Sequence, residues 1–535
     1  MRNLISIIIG LSIGLLGDIS LAQDAGELIW QFQGPEDHCV CVTGFSDVDG
    51  DGNADVVGIW GNSAYQGDHN LFCLSGAGDN GSPEILWSVG PQGGISSGGG
   101  YGDQCLARFS DIDSNGIDEI ILGTAWGGRC AFLINGTDGE TRWVFDTYEN
   151  PPTGWCYSVH APGDLNFDDV PDVLAGFGSE ANSAYALSGQ DGSVIWGYEA
   201  GDAVFAVASM TTINWDNTPE AILGTGDPYE DRVICINGGS NGTGELLWDF
   251  HTGETVMDVE GFVDVNNDGL QDVLAGSWSN HVYCLSAIDG TEIWSSSALD
   301  RIMGVKVGGD QNDDGIPEVL VASWDNTIFS LDGLTGEINW STPVGSQNGG
   351  DVWTLDNVPD VNDDGIDEVT AGSFDCRVYL CNGHDGEILW SYDTGNRLKS
   401  VRAAGDLNGD GRCDVVAGTQ YLSNGGKMYA ISGGDATSIN QEPRPSHPVE
   451  FALHGNYPNP FNSSTNINFT LTYGGKTDIS IYDITGRKVA VLADDYLSKG
   501  THSIYWNADG FPSGVYFAKL VSGENSTTIR MSLIK

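Results

Sequence analysis

The chain has 535 residues, with 75 acidic against 21 basic side chains and a formal charge of −54. That excess argues against binding nucleic acid or an anionic membrane, both of which need clustered Lys and Arg, and it suits divalent cations. Gly (76) and Trp (16) are abundant, and short Val/Ile/Leu/Trp runs punctuated by Gly, Asn and Asp predict an all-β protein.

Residues 1–22 are expected to be a secretory signal peptide, with Arg2 as the charged start, an apolar stretch over 4–16 and Ser20-Leu21-Ala22 as a small-residue cleavage site. No later segment is apolar over the length that spans a bilayer.

From residue 47 onward one nine-residue pattern returns every 46–64 residues, each time just before a short apolar run. Its first, third, fifth and ninth positions are oxygen donors and its sixth is usually Gly. The copies read Asp47, Asp49, Asp51, Asp55; Asp111, Asp113, Asn115, Glu119; Asp164, Asn166, Asp168, Asp172; Asp264, Asn266, Asp268, Asp272; Asp310, Asn312, Asp314, Glu318; Asp360, Asn362, Asp364, Glu368; and Asp406, Asn408, Asp410, Asp414. A degraded fourth copy has Thr212 first and Asn217 sixth, and the third copy has Asp169 in the Gly place. Calcium takes six to eight hard oxygens at flexible geometry. Side chains at those four positions, with a backbone carbonyl, are therefore expected to hold structural Ca2+ at several sites.

Around each loop the same unit can be written. In the fifth, an apolar strand over 255–259 leads to the loop, Asp272 opens a second strand, a third runs from His281, and after an Asp289-Gly290 turn a fourth ends on Trp294. Four short antiparallel strands with tight turns make a propeller blade. The terminal Trp recurs as Trp87, Trp143, Trp196, Trp248, Trp294, Trp340 and Trp390. The eighth unit lacks its Trp strand, but Gly26-Glu27-Leu28-Ile29-Trp30-Gln31-Phe32 copies the Trp248 strand. The expectation is an eight-bladed propeller over 23–435, closed by its N-terminal strand so that no sheet edge stays open.

The eleven cysteines are an odd number. Cys73, Cys235 and Cys284 hold one place in equivalent strands and read as small core hydrophobes, whereas Cys39, Cys41, Cys105 and Cys156 cluster where a disulfide is plausible.

Acidic loops and Asp-Gly turns share one face of the propeller. The opposite face carries the longer insertions, over 62–69, 91–104 and 148–155, and elaborated loops on a rigid scaffold are where binding concentrates. Nine or ten residues before each acidic loop, where the innermost strand begins on that face, stand Asp37, His38, Trp155, Asp202, Glu254, Asp300, Arg301, Asp351 and Arg397. Blade symmetry is expected to gather them around the axis, either as a site for a polar ligand such as a sugar or as a salt-bridged rim. A second tier, His160, Glu260, Lys306, Asp356 and Arg402, reads as an internal ion-pair network, and Trp278, Trp324 and Phe374 as core. Catalytic signals are poor: Gly94-x-Ser96-x-Gly98 lies in a Gly run rather than between strand and helix.

Several motifs resemble known families. Leu331-Asp332-Gly333-Leu334-Thr335-Gly336-Glu337-Ile338-Asn339-Trp340 resembles the tryptophan-docking motif of eight-bladed quinoprotein (pyrroloquinoline-quinone-type) propellers, and the acidic loops resemble those of FG-GAP and VCBS repeats. The resemblance implies the fold; the vicinal Cys-Cys pair of many quinoprotein dehydrogenases is absent here. After a Pro-bearing linker over 436–450, residues 451–535 carry Asn456-Tyr457-Pro458-Asn459-Pro460-Phe461-Asn462, the 481–488 run Ile-Tyr-Asp-Ile-Thr-Gly-Arg-Lys, Trp506-Asn507 and Ser513-Gly514-Val515-Tyr516-Phe517. These resemble the C-terminal sorting domain of type IX secretion cargo, an immunoglobulin-like β module. The resemblance implies the type IX machinery as partner and delivery to the cell surface or medium of a Gram-negative-type bacterium. The resulting expectation is a non-catalytic binding or adhesion protein with a glycan or protein ligand. The alternatives are an enzyme like the calcium-bearing polysaccharide lyases or, less in keeping with the residues, a quinone-dependent dehydrogenase.

Overall fold

The computed structural model describes residues 25–434 and 452–533 apart from 35–37, 62–69, 79–80, 91–103, 126–128, 151–153, 180, 215, 227–230, 298, 313, 346–349, 421–425, 458–460, 463, 472–474, 486, 498–499, 509 and 523–524. The expected signal peptide, the linker, Asp37 and, of the three long insertions, residues 62–69, 91–103 and 151–153 lie outside the described residues. The chain divides into two compact units, 1–439 and 440–535.

Within the first unit the strands form successive antiparallel sheets, mostly of four strands; the third adds Gly242–Thr243, parallel to Val194–Glu199, and a His38–Gln420 pair joins the last sheet to the first. The fifth is Val256–Gly261, Val273–Ser277, His281–Leu285 and Glu292–Ser296; the sixth is Ile302–Val307, Val319–Ser323, Thr327–Leu331 and Ile338–Pro343. The last sheet, Arg397–Gly405, Asp414–Gln420 and Lys427–Ile431, takes Leu28–Gln33 as its outer strand, antiparallel, with Trp30 opposite Ala430 and Phe32 opposite Met428. Neighbouring innermost strands pack in sequence, and Arg397–Gly405 packs on the innermost strand of the first sheet, His38–Phe45.

Burial explains the sequence pattern of each strand. A second strand such as Val273–Ser277 is buried at every residue, so it reads as an unbroken apolar run. A fourth strand such as Ile338–Pro343 buries only its Trp. That Trp is driven into the next sheet. Trp294 packs with Ile302, Val319 and Leu331 of the sixth sheet and donates its indole N–H to the Gly333 carbonyl at 2.9 Å. Equivalent bonds run from Trp30 to Gly76, Trp87 to Gly136, Trp143 to Gly189, Trp196 to Gly238, Trp248 to Ala287 and Trp340 to Gly383, at 2.6–3.0 Å. In the turn beneath the indole, Gly336 has φ +72°, and a Cβ there would stand 2.5 Å from the Trp294 ring. Only glycine fits, on both counts.

All eleven cysteines are free thiols; Cys39, Cys41, Cys105 and Cys156, where a disulfide was plausible, form none, and Cys376 and Cys413 are the two that are only partly buried. The four clustered thiols are buried in the apolar layers between sheets: Cys41 and Cys105 in one cluster, Cys39 and Cys156 in two others.

The second unit has two antiparallel sheets, one of Ala452–Tyr457, Ser464–Leu471 and Gly500–Asn507 and one of Lys488–Leu497, Gly475–Asp483, Gly514–Ser522 and Asn525–Leu533. Ile467, Phe469 and Trp506 of the first share a core with Ile479, Ile481, Leu520 and Met531 of the second. Among the described residues no helix is long and apolar enough to cross a membrane.

Replacing Trp294 by Ala should cost about 3–5 kcal/mol, the usual range for emptying a buried Trp site. Chemical denaturation would register this as a lower midpoint.

Candidate functional site

Every acidic loop but the fourth is a cage closed by its first carboxylate. Asp47 accepts from the backbone N–H groups of Gly50 (2.7 Å), Asp51 (3.1 Å) and Gly52 (2.9 Å), and Asp406 accepts in the same way from Gly409, Asp410 and Gly411. The sixth residue is left-handed throughout, at +97° for Gly52 and +94° for Gly269. Asp169 and Asn217 take that conformation too, at +65° and +68°, so the third loop keeps the geometry despite lacking the glycine. The Asp169 N–H reaches Asp164 at 2.9 Å. In the fourth loop Thr212 has no carboxylate to receive these donors, and its hydroxyl turns to Asn214 and Asp216.

The ninth residue sits differently. Asp55, Glu119, Asp172, Glu220, Asp272, Glu318, Glu368 and Asp414 are fully buried. Asp172 accepts from Leu165 N–H at 2.7 Å and from Gly189 N–H at 3.0 Å, tying the loop to the exit of the third strand. Burial raises these carboxyls: Asp55, Asp172 and Asp272 to about 6, Glu318 and Asp414 to about 7, and Glu368 to about 8, with the other loop carboxylates adding to the rise.

Among the described residues, three loops bring carboxylate oxygens of three residues within 4.8 Å of one another: Asp47, Asp49 and Asp55; Asp111, Asp113 and Glu119; Asp360, Asp364 and Glu368. Two buried carboxylate oxygens, Glu368 Oε1 and Asp410 Oδ2, have no hydrogen-bond partner. Hard, convergent, under-satisfied oxygens are the donor set a calcium ion takes. The second loop differs, because the Arg142 guanidinium already bonds Asp113 and Glu119.

On the opposite face the residues of the predicted ring differ in burial and in partners. Asp202, just before its strand, is fully buried and accepts the Ala203 N–H at 2.9 Å. Glu254 and Asp300 are exposed, and Asp300 accepts the Arg301 N–H at 2.8 Å. His38 and Asp351 are half-buried, and the Asp351 carbonyl accepts the Phe374 N–H at 2.9 Å. Trp155 lies edge-on to Tyr157 with ring centres 6.3 Å apart. Arg301 covers Trp278 and Trp324, at 5.0 and 4.9 Å, and Arg397 covers Phe374 at 5.1 Å.

The middle is filled by residues that the ring reading passed over. Most innermost strands carry an irregularity in register seven residues before the acidic loop, at Val40, Tyr157, Phe205, Met257, Met303, Trp353 and Lys399. A bulge re-aims one extra side chain. Tyr157 stacks on Phe205 at 5.0 Å, Met257, Met303 and Trp353 share one buried cluster, and Lys399 lies 3.9 Å from the Trp353 ring centre. Gln104, at the same offset in the second unit, donates to Asp258 of the fifth at 2.5 Å. The fixed offset was a usable signal; bulging was not visible in the residues.

Beneath lies the second tier. Lys306 pairs with Glu260 at 3.2 Å and Asp258 at 3.7 Å. Burial disfavours the ammonium, but the two carboxylates outweigh it and hold it above its ordinary value, whereas burial and the Lys306 charge push His160 down to about 4.

Comparison with known proteins follows the same division. Residues 118–296 and 279–488 match the family described as outer membrane protein assembly factor BamB, built on pyrroloquinoline-quinone-type repeats. The chain belongs to this family. Residues 456–535 match the secretion system C-terminal sorting domain, which makes this BamB-type repeat protein a type IX secretion cargo, secreted or held at the cell surface. The C-terminal WD40 domain of Sif2 is similar at TM-score 0.52 and 12% identity, over 76% of this chain and 98% of that one. BamB from Moraxella catarrhalis gives TM-score 0.46 and 14% identity, over 78% and 99%. The fold is a β-propeller. No curated protein matches the chain.

The raised carboxyls set a pH dependence. They hold protons in the folded state that the unfolded chain has released, so their contribution to stability is complete below the unfolded value and lost as pH rises through the folded one. In chelator, the melting temperature should fall between pH 6.5 and 8, where Glu318, Asp414 and Glu368 ionise. Glu368→Gln should flatten the slope.

Proposed function

We propose that this BamB-type repeat protein is a calcium-stabilised, eight-bladed propeller closed by its N-terminal strand. In this reading it acts without catalysis, as a binding or adhesion protein at the cell surface or in the medium. The filled centre supports non-catalytic binding. Enzymatic attack on a polymer needs an open cleft where an acid–base group meets the substrate. Here Tyr157, Phe205, Met257, Met303 and Trp353 are buried against one another or their neighbours, and Lys306 is committed to two carboxylates. The pairing of Leu28–Gln33 with Lys427–Ile431 supports closure, and the succession of four-stranded sheets supports the count.

Calcium is supported by the carboxylate triads and by the orphaned oxygens of Glu368 and Asp410. Its place would be structural, pinning the first strand of each blade to the second. Of the seven loops that keep their first carboxylate, the second would bind most weakly, because Arg142 competes for Asp113 and Glu119. The terminal unit is read as an immunoglobulin-like sandwich that serves export, leaving the propeller as the working part.

Two experiments test the proposal. Because the cages exist only in the folded chain, calcium should raise the melting temperature by linkage; identical thermal scans in calcium and in chelator would refute the metal assignment. Glycan and surface-protein arrays run beside a lyase assay on the same preparation should return binding without cleavage. Product formation from a polysaccharide would replace this reading with the enzymatic one.

A further inference from the structure

In this acidic chain, basic side chains of the propeller domain regularly meet carboxylates: Arg108 with Asp118, Arg142 with Asp113 and Glu119, Arg232 with Asp249, Lys306 with Asp258 and Glu260, Arg377 with Asp393, Arg412 with Asp363. Three do not. Arg301, Arg397 and Lys399 make no ion pair among the described residues, although acidic side chains outnumber basic ones 75 to 21. All three lie on the face opposite the acidic loops, and all three rest on aromatic rings instead. Arg301 spans Trp278 and Trp324, whose ring centres are 5.7 Å apart, and Lys399 lies over Trp353 and, at 5.7 Å, Phe374. Trp353 stacks on Phe374 at 4.9 Å with 12° between the planes, and its buried indole N–H has no acceptor.

A cation laid on a ring is held flat and oriented while its hydrogen-bond donors stay unspent. The arrangement is thus a row of positioned donors on an aromatic floor, confined to the fifth to eighth units. It breaks the symmetry of the repeat, since the loops beneath are alike in all four. Repelling cations are kept close: burial and the Arg397 charge together lower the Lys399 amine to about 8.

We propose that this rim binds an acidic polysaccharide, whose carboxylate or sulfate groups meet Arg301, Arg397 and Lys399 while its sugar rings lie against the flanking aromatic edges. The proposal rests on the reading of this face as the binding face, and it names the ligand class. Export places the partner outside the cell, and a polymer with one charge per sugar or two suits a few separated cations better than a dense polyanion, which the −54 chain would repel.

The test uses the full mature protein in calcium, with hyaluronan as the carboxylate polymer, κ-carrageenan as the sulfate polymer, neutral dextran, and phosphatidylserine vesicles. One or both acidic polymers should bind, with affinity falling as salt rises, and dextran and vesicles should not. An Arg301→Gln/Arg397→Gln variant should lose about tenfold in affinity with an unchanged melting temperature, because both side chains are exposed. Arg377→Gln, which removes a paired surface arginine, should bind like the parent. Salt-independent binding, equal binding of dextran, preference for the vesicles, or full affinity in the double variant would each overturn the proposal. A neutral glycan or a protein captured on the arrays, with both acidic polymers unbound, overturns it while leaving the binding reading intact. Arrays without any ligand remove both.

Discussion

The buried ninth carboxylate of each loop, and the backbone unit it holds, is the contact on which the propeller depends. In the third unit Asp172 takes the N–H of Gly189, and the carbonyl of the same Gly189 takes the indole N–H of Trp143 from the unit before. Glu220, Gly238 and Trp196 repeat the relay, as do Asp272, Ala287 and Trp248. One residue thereby joins a loop, a strand end and the neighbouring sheet. Burying a carboxylate is costly unless it is hydrogen-bonded, and the upward shifts say that two amide donors do not fully offset the burial. A proton or a cation has to make up the difference, which ties the acidity of the loops to the stability of the sheets.

This division of labour separates the two faces. The loop face is nearly periodic, because every unit solves the same problem of anchoring a strand pair and receiving a Trp. The opposite face is where units differ. Met257, Met303, Trp353 and Lys399 occupy one structural position, yet their chemistry runs from thioether to indole to amine. A shared backbone bulge delivers each of them to the middle, so a single substitution there changes what the face presents without disturbing the frame. That is the physical basis for placing function on the uneven face.

Much of this was legible in the residues. Periodic Trp and Asp-Gly turns marked the units, and the match of 26–32 to 244–250 pointed to the pairing of Leu28–Gln33 with Lys427–Ile431. Loop geometry was legible as well, and Asp169 shows how little the missing glycine mattered: five loop hydrogen bonds outweigh the strain of one left-handed residue. Less legible was the ring. Asp202 shares its sequence offset with exposed residues but turns back to cap its own strand. Trp278, Trp324 and Phe374 read as core, and they are partly buried, but under a layer of cations.

By itself, then, the sequence determined what is local and repeated: the turn chemistry, the length of each strand, the residue that must be Gly beneath each Trp and the placing of carboxylates and amides in each loop. These follow from φ preferences and from hydrogen bonds spanning nine residues or fewer. Tertiary structure decided which thiols stay unpaired, which acidic side chains are buried, and which cations lack a carboxylate. Those outcomes hang on neighbours roughly fifty or more residues away in sequence, as when Gln104 reaches Asp258. Pairing across a propeller is set by the closeness of its inner strands, and no spacing within one unit encodes it.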